Sequence, residues 1–224
     1  LMIERLTRFK TYVLACSESE QEMAIRDVGY QRSHAWVWHN AVPDASLEQG
    51  KAVDVSEPYA CYIGRPCYQK NPLFLLDVIK KVKDKGCHLK FILLGVGYHS
   101  PELEAMKVKM QELDLEDTIR LEPWISHADC QEFVRKSLFY ISTALYEGLP
   151  LAVIEAMANG KAIIVSDVVG NKDCVRDGEN GYLLPLDSEA YAEKIIQLVN
   201  NQALRMKMEK KSRELFLSDF LIEN

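Results

Sequence analysis

The sequence predicts an α/β fold, a Rossmann-like parallel β-sheet with helices on both of its faces. Two observations carry this prediction. Short apolar runs alternate with amphipathic stretches through residues 59–200, which is the pattern of a parallel sheet covered by helices. Several of the amphipathic stretches open with Pro or Ser, residues that favour the first turn or the cap of a helix.

Each element follows from its own pattern. Six apolar runs predict strands at residues 59–63, 89–94, 118–121, 138–141, 162–165 and 182–184. Between them, apolar residues at helical spacing predict helices at residues 72–83, 101–113, 127–136, 150–159 and 188–200. Six strands are sufficient for one sheet.

The first fifty residues follow a different pattern. A strand is predicted at 11–16, then a polar helix to about residue 27 and a second strand at 35–38. We therefore expect four parts: residues 1–44 as the end of an N-terminal domain, 45–58 as a polar linker, 59–200 as the main domain and 201–224 as a C-terminal helical segment. Leu1 precedes the first Met and the chain stops within a charged amphipathic run, so we expect a fragment of a longer protein.

Composition narrows the function classes. A chain of 224 residues that is 48% hydrophobic can bury one complete core and part of a second. The net charge of −6, with basic residues dispersed among acids, gives no electrostatic reason to expect nucleic acid. The sequence has no apolar run long enough for a membrane span or a signal peptide. Six cysteines without Cys-x-x-Cys spacing are typical of buried free thiols and favour the cytoplasm.

The predicted helix 150–159 carries the strongest functional signal. Pro150 suits the first helical position and Gly160 the C-terminal end. The N-terminus of such a helix presents unpaired N–H groups and the positive end of the helix dipole, which suit phosphate. Glu147 precedes the helix and Glu155 lies in its second turn, where carboxylates can accept hydrogen bonds from sugar hydroxyls. The implied ligand is a sugar joined to a nucleotide through phosphates.

A glutamate followed by Gly-x-Pro, with a second glutamate eight positions after the first that opens Glu-Ala-x-Ala-x-Gly, resembles the motif of retaining glycosyltransferases of the family 4, or group 1, type. That family has the two-domain GT-B fold, and the resemblance covers mainly its C-terminal donor-binding domain. It implies that Glu147 contacts hydroxyls of the donor sugar and that Glu155 contacts the ribose. It also implies contacts to the donor sugar and diphosphate from the backbone of Gly148, Leu149, Pro150 and Leu151.

A second motif follows the first strand of the main domain. Gly64 and Arg65 are followed after a short gap by Lys70, and the family has the same pattern, although Asn71 stands where it usually has Gly. Arg offers a planar fork to phosphate oxygens and Lys a mobile charge, so together they can neutralise a departing diphosphate. The alternative is a surface loop whose cations face water, the commonest fate of charged residues.

Other candidates are weaker. Gly97, in a Gly-x-Gly after the second strand of the main domain, can bring the backbone close to a nucleotide or simply make a tight turn. Trp124 and Ile125 occupy the place where the family has a loop at the base, so they either flank the base or pack at a domain edge. Asp167-x-x-Gly170 resembles a family segment that lacks its second Gly here, and we predict a structural turn.

Metal and nucleophile chemistry find little support in the sequence. The five histidines are scattered, and no two aspartates are separated by one residue as in a manganese-binding Asp-x-Asp motif. We therefore expect no metal and no cofactor other than the nucleotide-sugar itself. The resemblance then implies electrostatic catalysis by Arg65, Lys70 and the helix dipole, with Glu147 on the sugar that is transferred.

The favoured hypothesis is the donor-binding half of a retaining glycosyltransferase. A nucleotide-sugar binding module that catalyses nothing is the alternative, and a GT-B nucleotide-sugar epimerase is disfavoured because no acid and base pair is identified. Expected partners are a nucleotide-sugar donor, a glycan or lipid-linked acceptor and the missing N-terminal domain, through which any peripheral membrane association would occur. The base, the sugar and the acceptor stay open.

Overall fold

The computed structural model describes residues 2–97 and 99–222, without the side chains of residues 2–4. A six-stranded sheet forms its centre, and all neighbouring strands in it are parallel. Its strands are β3 (Tyr59–Ile63), β4 (Lys90–Leu94), β5 (Ile119–Glu122), β6 (Phe139–Ile141), β7 (Ala162–Ser166) and β8 (Gly181–Leu184). They lie in the order β5-β4-β3-β6-β7-β8. The Rossmann-like sheet predicted from the sequence is confirmed, with each strand end within one residue of its prediction.

Helices cover both faces of this sheet. They are α3 (Pro72–Asp84), α4 (Leu103–Glu112), α5 (His127–Lys136), α6 (Leu151–Ala158), α7 (Asn171–Cys174), α8 (Ser188–Asn200) and α9 (Gln202–Leu215). One core packs α3, α4 and α8 against one face, and a second packs α5, α6 and the end of α9 against the other. Successive residues of β3 alternate between the two cores, Ala60 on one side and Cys61 on the other.

Two predicted helix starts need correction. The helix predicted at 150–159 begins at Leu151, because Pro150 is its N-cap with an extended backbone, φ −77° and ψ 109°. The Pro150 carbonyl accepts hydrogen bonds from the N–H groups of Val153 and Ile154, at 3.1 and 3.2 Å, so the cap role displaces it from the first helical position. The helix predicted from residue 101 begins at Leu103.

The N-terminal residues form a small separate layer. Helix α1 (Met2–Thr7) leads to β1 (Val13–Ala15), α2 (Glu18–Met23) and β2 (Ala35–Val37), and β1 and β2 pair in parallel. The predicted strands are thus shorter at their ends, and the polar helix changes at Ala24 into a wider π turn.

The end of the chain holds the segment that enters the main domain. Arg213 of α9 donates to both carboxylate oxygens of Asp44, at 2.7 and 2.5 Å, and Asp44 caps the short turn Ala45–Leu47. Val42 exchanges backbone hydrogen bonds with Phe220 and Ile222 at 3.0 and 3.2 Å. The C-terminal segment is therefore tied to residues 42–44, immediately before the linker predicted at residues 45–58. Across the described residues, no helix combines the length and apolar character needed to cross a membrane.

Candidate functional site

The strand order creates a crevice between β3 and β6. From β3 the chain builds outward through β4 and β5, whereas β6, β7 and β8 extend the other edge. In parallel α/β sheets, ligands bind beyond the carboxyl ends of the strands at such a reversal. The loops that leave these two strands, residues 64–70 and 142–150, meet there, where the Leu145 N–H donates to the Gln69 carbonyl at 2.8 Å. We call the region beyond the carboxyl ends of β3 and β6, where these two loops meet, the switch-point cleft.

The first loop of the cleft begins at a glycine that the packing requires. A Cβ on Gly64 would lie 2.7 Å from the Tyr62 hydroxyl, closer than real side chains approach. Arg65 follows as an exposed cation, and none of the described residues forms an ion pair or hydrogen bond with its guanidinium. Asn71, which departs from the family's Gly, has φ 51° and ψ 51°, a left-handed conformation that Asn tolerates. The backbone at this position is thus left-handed, a conformation that Gly and Asn both adopt.

The two loops are joined by a partly buried ion pair. Lys70 Nζ lies 2.6 Å from Glu147 Oε1, and the Glu147 side chain is only 9% exposed. Gln69 Nε2 lies 3.4 Å from the other carboxylate oxygen. The structure therefore brings together a cation predicted to bind phosphate and a carboxylate predicted to bind sugar.

Helix α6 opens at the edge of the cleft. Val153 and Ile154 donate to the Pro150 carbonyl, so the amides of Leu151 and Ala152 have no partner within the helix. The carbonyls of the preceding turn are held from the N-terminal layer. Ser17 Oγ donates to the Gly148 carbonyl and Asn40 Nδ2 to the Leu149 carbonyl, both at 3.1 Å. The backbone of Gly148 and Leu149 is thus held in place immediately before the start of α6.

Glu155 belongs to a network that the sequence analysis missed. Gln131 Nε2 donates to Glu155 Oε2 at 2.9 Å, and His127 Nε2 lies 3.2 Å from Oε1. The other ring nitrogen of His127 lies 2.9 Å from Glu48 Oε2. Burial lowers the pKa of His127, but its hydrogen bonds to Glu48 and Glu155 outweigh that effect and raise the pKa above its usual value.

Sequence signals do not reveal this network, because its members are far apart in the chain. His127 lies 79 residues from Glu48 and 28 residues from Glu155. Gln131 is fully buried, and its carbonyl accepts from Asn159 Nδ2 at 2.7 Å. That bond fixes the orientation of the amide, so Gln131 presents its nitrogen to Glu155.

The predicted base-side residues come together at the ends of β4 and β5. A Cβ on Gly97 would lie 3.3 Å from Trp124 Cδ1, so the two loops are in contact. The Trp124 side chain is 81% exposed. Ile125 is instead partly buried against the core that contains α6. Trp124 is therefore available to a ligand, whereas Ile125 anchors the loop.

The segment predicted as a structural turn supports the cleft as well. Gly170 has φ +83°, and a Cβ there would lie 2.1 Å from the Gly148 carbonyl oxygen. Only glycine combines this backbone conformation with this close approach. From the sequence, Gly170 was predicted only to make a structural turn, because the family's second Gly is missing there.

All six cysteines are free thiols, as predicted, although only Cys61 and Cys174 are buried. Within residues 2–97 and 99–222, no group of three or more His, Cys, Asp and Glu side chains is placed to hold a metal ion.

The part of the chain that contains the cleft matches the sequence model of a known protein family. The model described as glycosyl transferases group 1 matches residues 45–215, which contain both cleft loops, α6 and the Glu155 network. The chain belongs to this family. Its fold is that of GT-B glycosyltransferases, as the sequence resemblance implied.

Two glycosyltransferases are similar to this chain in sequence. The chain is 28% identical over 171 residues to the poly(ribitol-phosphate) alpha-N-acetylglucosaminyltransferase of Staphylococcus aureus strain COL, covering 75% of this chain and 34% of that protein. It is 27% identical over 164 residues to an Escherichia coli enzyme named UDP-Gal:alpha-D-GlcNAc-diphosphoundecaprenol alpha-1,3-galactosyltransferase, covering 71% and 41%. This group 1 chain thus spans about a third to two fifths of the length of these relatives.

A solved structure shows the same fold. A mutant of S. aureus TarM, crystallised with fondaparinux, alpha-GlcNAc-glycerol and UDP, superimposes with a TM-score of 0.83 at 23% identity. The match covers 99% of this chain and 43% of TarM.

Proposed function

We propose that this chain is the donor-binding half of a retaining glycosyltransferase of the family 4 type, and that the switch-point cleft binds a nucleoside-diphosphate sugar. The observation that carries the proposal is the contact of Lys70 with Glu147 at 2.6 Å, beside the exposed Arg65 and the start of α6. Cations, amides and a carboxylate converge there on one space. The binding of UDP by TarM supports a nucleoside diphosphate as the ligand.

The diphosphate is assigned to the cationic side of the cleft. Arg65 supplies a fork for two phosphate oxygens, and Lys70 turns from Glu147 to the phosphates. The amides at the start of α6 and the positive end of its dipole add to this field. As the glycosidic bond breaks, negative charge grows on the departing diphosphate, and these groups stabilise it without a metal ion.

The two glutamates divide the rest of the donor. Glu147 lies beside Lys70, so it faces the sugar attached to the diphosphate and accepts from its hydroxyls. Glu155 lies in the second turn of α6, in contact with α5, so it accepts from the ribose. Trp124, exposed at the end of β5, offers its face to the base.

Acceptor binding is assigned to a domain beyond this chain. The chain spans 34% and 41% of the two relatives, which favours donor binding here and an acceptor site elsewhere in the whole protein. Glycan and lipid-linked acceptors are supported by the names of those relatives, and any peripheral membrane contact would belong to that other domain. The free thiols support a reducing compartment, which we propose is the cytoplasm.

Calorimetry with UDP, GDP, ADP and CDP in the presence of EDTA tests the assignment. One of the four should bind the unmodified chain. The double change Arg65→Ala and Lys70→Ala should weaken that binding at least about tenfold, because each charge-assisted hydrogen bond contributes about 1.5 to 3 kcal/mol.

The matched control removes two lysines of α3 that pair with Asp84 and Glu189 instead. Lys80→Ala with Lys81→Ala should leave the affinity unchanged. A requirement for a divalent metal, or equal losses in both double variants, would show that the diphosphate is not held by Arg65 and Lys70.

A further inference from the structure

His127 lies between two carboxylates from different parts of the chain. Its Nδ1 is 2.9 Å from Glu48 Oε2, which comes from the segment entering the main domain, and its Nε2 is 3.2 Å from Glu155 Oε1 on α6. A neutral imidazole has one N–H, whereas an imidazolium has two. Only the protonated ring can therefore donate to both carboxylates.

When the His127 ring is neutral, its Nε2 can accept a hydrogen bond from Gln131. Gln131 Nε2 lies 3.1 Å from His127 Nε2 and 2.9 Å from Glu155 Oε2. With its hydrogen on Nδ1, the neutral ring still donates to Glu48, but it accepts from Gln131 and no longer donates to Glu155. The network therefore has two hydrogen-bonding states that differ in the restraint on Glu155.

We propose that His127 is a positioning residue for nucleoside binding: as an imidazolium it fixes the Glu155 carboxylate together with Gln131, and its deprotonation removes one of these two hydrogen bonds and weakens nucleoside binding. The proposal rests on the ribose contact assigned to Glu155 under the proposed function.

Held this way, Glu155 keeps unused acceptor sites for the hydroxyls of a ribose. His127 and Gln131 each occupy one site on one carboxylate oxygen, and a carboxylate offers about four such sites. Each oxygen can thus still accept from one ribose hydroxyl, while the side chain is already ordered before binding. Without the shared cation, the like charges of Glu48 and Glu155 oppose this arrangement.

The charges around His127 agree with this role. Glu48 and Glu155 face the ring, and they raise the pKa of His127 against the effect of burial. On its own helix, Asp129 accepts from the Lys51 amide, and Arg135 donates to the Glu48 carbonyl, so both are directed at the segment that carries Glu48. Burial raises the pKa of the neighbouring Cys130 thiol to about 12, so it stays neutral while His127 titrates.

The test compares His127→Ala with the unmodified chain across a pH series that brackets the ordinary histidine pKa of about 6.5. The probe is whichever of UDP, GDP, ADP and CDP binds most tightly in EDTA, with inorganic pyrophosphate as a phosphate-only probe. The ratio of the two dissociation constants at each pH cancels the titration of the ligand's own phosphate. His88→Ala, which replaces an exposed histidine before β4, is the matched control.

We expect His127→Ala to weaken the nucleoside diphosphate about fivefold to tenfold at low pH, in line with one lost charge-assisted hydrogen bond. The ratio should fall toward one as the pH rises through the pKa of His127. Glu48→Gln should move that midpoint to lower pH, because it removes a carboxylate that favours the charged ring. Pyrophosphate binding and the His88→Ala variant should show no such change.

A ratio that does not vary with pH, a midpoint that Glu48→Gln leaves in place, or an equal loss of pyrophosphate would overturn the role of His127. Those outcomes would leave the proposed function intact. If none of the four nucleoside diphosphates binds the unmodified chain, the proposed function itself fails and this inference fails with it.

Discussion

Each of the two glutamates, Glu147 and Glu155, should contact a different part of the donor. Glu155→Gln should weaken a free nucleoside diphosphate and the complete nucleotide-sugar alike, by about 1 to 3 kcal/mol, because the ribose is common to both ligands. Glu147→Gln should weaken only the nucleotide-sugar. It frees Lys70 from its ion pair, so binding of the free diphosphate should be unchanged or stronger.

Calorimetry with both ligands on both variants measures this division. Equal effects of the two substitutions on the two ligands would remove it. Glutamine keeps the size of the side chain and loses only its charge, so circular dichroism should show an unchanged fold.

Residue types and their spacing predicted only part of the site. Glu147, Glu155, Arg65 and Lys70 were identified because each belongs to a short local motif. His127 was not, because its meaning depends on Glu48 and Glu155, which the fold brings to it from opposite directions along the chain. Local motifs therefore predict the groups that meet a ligand, whereas the groups that hold them become visible only with tertiary contacts.

At the scale of elements, the turn before α7 supports the loop before α6. Gly170→Ala places a Cβ 2.1 Å from the Gly148 carbonyl oxygen at a φ of +83°, so the loop before α6 must shift. We expect a loss of about 2 to 4 kcal/mol in the free energy of unfolding, together with weaker diphosphate binding.

Gly178→Ala is the control, because Gly178 has a similar φ of +76° but nothing within 4 Å of a Cβ. It should cost about 1 to 2 kcal/mol from backbone strain alone and leave binding unchanged. Urea denaturation and calorimetry on both variants measure the two effects. Equal losses of stability in the two variants would show that the contact with Gly148 is unimportant.

The contact of α9 with the segment entering the main domain predicts a pH dependence of stability. Hydrogen bonds from Arg213 lower the pKa of Asp44 to about 2. A lowered pKa stabilises the folded chain above the ordinary aspartate pKa of about 3.9, and this contribution is lost as the pH falls through about 2.

Asp44→Asn should therefore lower the free energy of unfolding by about 2 kcal/mol near neutral pH, and the difference should shrink in acid. Chemical denaturation at several pH values measures it. Arg176→Ala, which breaks a more exposed ion pair with Asp219 at 3.5 Å, should change stability by less than about 1 kcal/mol. A difference for Asp44→Asn that stays constant in acid would contradict the assignment.

Elements were predicted better than their ends. Strands β3, β4, β6 and β7 follow from apolar runs, because a strand buried on both faces needs a nearly continuous apolar sequence. The edge strand β5 is less buried and carries Arg120 and Glu122. The helix start at Pro150 was misplaced by one residue, since proline suits the first turn by its fixed φ but here serves as the cap. The hydrogen bonds of the N-terminal layer to Gly148 and Leu149 have no sequence signal, because they join distant segments.

At the scale of the whole molecule, this chain should bind the donor without transferring its sugar. The 224-residue chain is expected to bind a nucleotide-sugar and to leave it intact, because the acceptor site is assigned to another domain. Chromatography of the nucleotide products after long incubation measures consumption. Rapid transfer or hydrolysis by this chain alone would place the whole active site within these residues.

Binding of the diphosphate to the whole molecule should depend on the salt concentration. With a net charge of −6, the chain as a whole repels an anionic ligand, so attraction must come from the local cations of the cleft. Calorimetry at rising salt should show weaker diphosphate binding in the unmodified chain. The dependence should be smaller after Arg65→Ala with Lys70→Ala, and an unchanged dependence would point to other cations.

Amide chemical-shift mapping during titration with the nucleoside diphosphate shows whether the switch-point cleft holds this ligand. The largest shifts should occur in residues 64–70, in residues 148–151 and around Glu155. Lys81, Lys85 and Glu189 form a separate charged surface between α3 and α8, and their amides should not move. Largest shifts at that surface, with the cleft unchanged, would contradict the account.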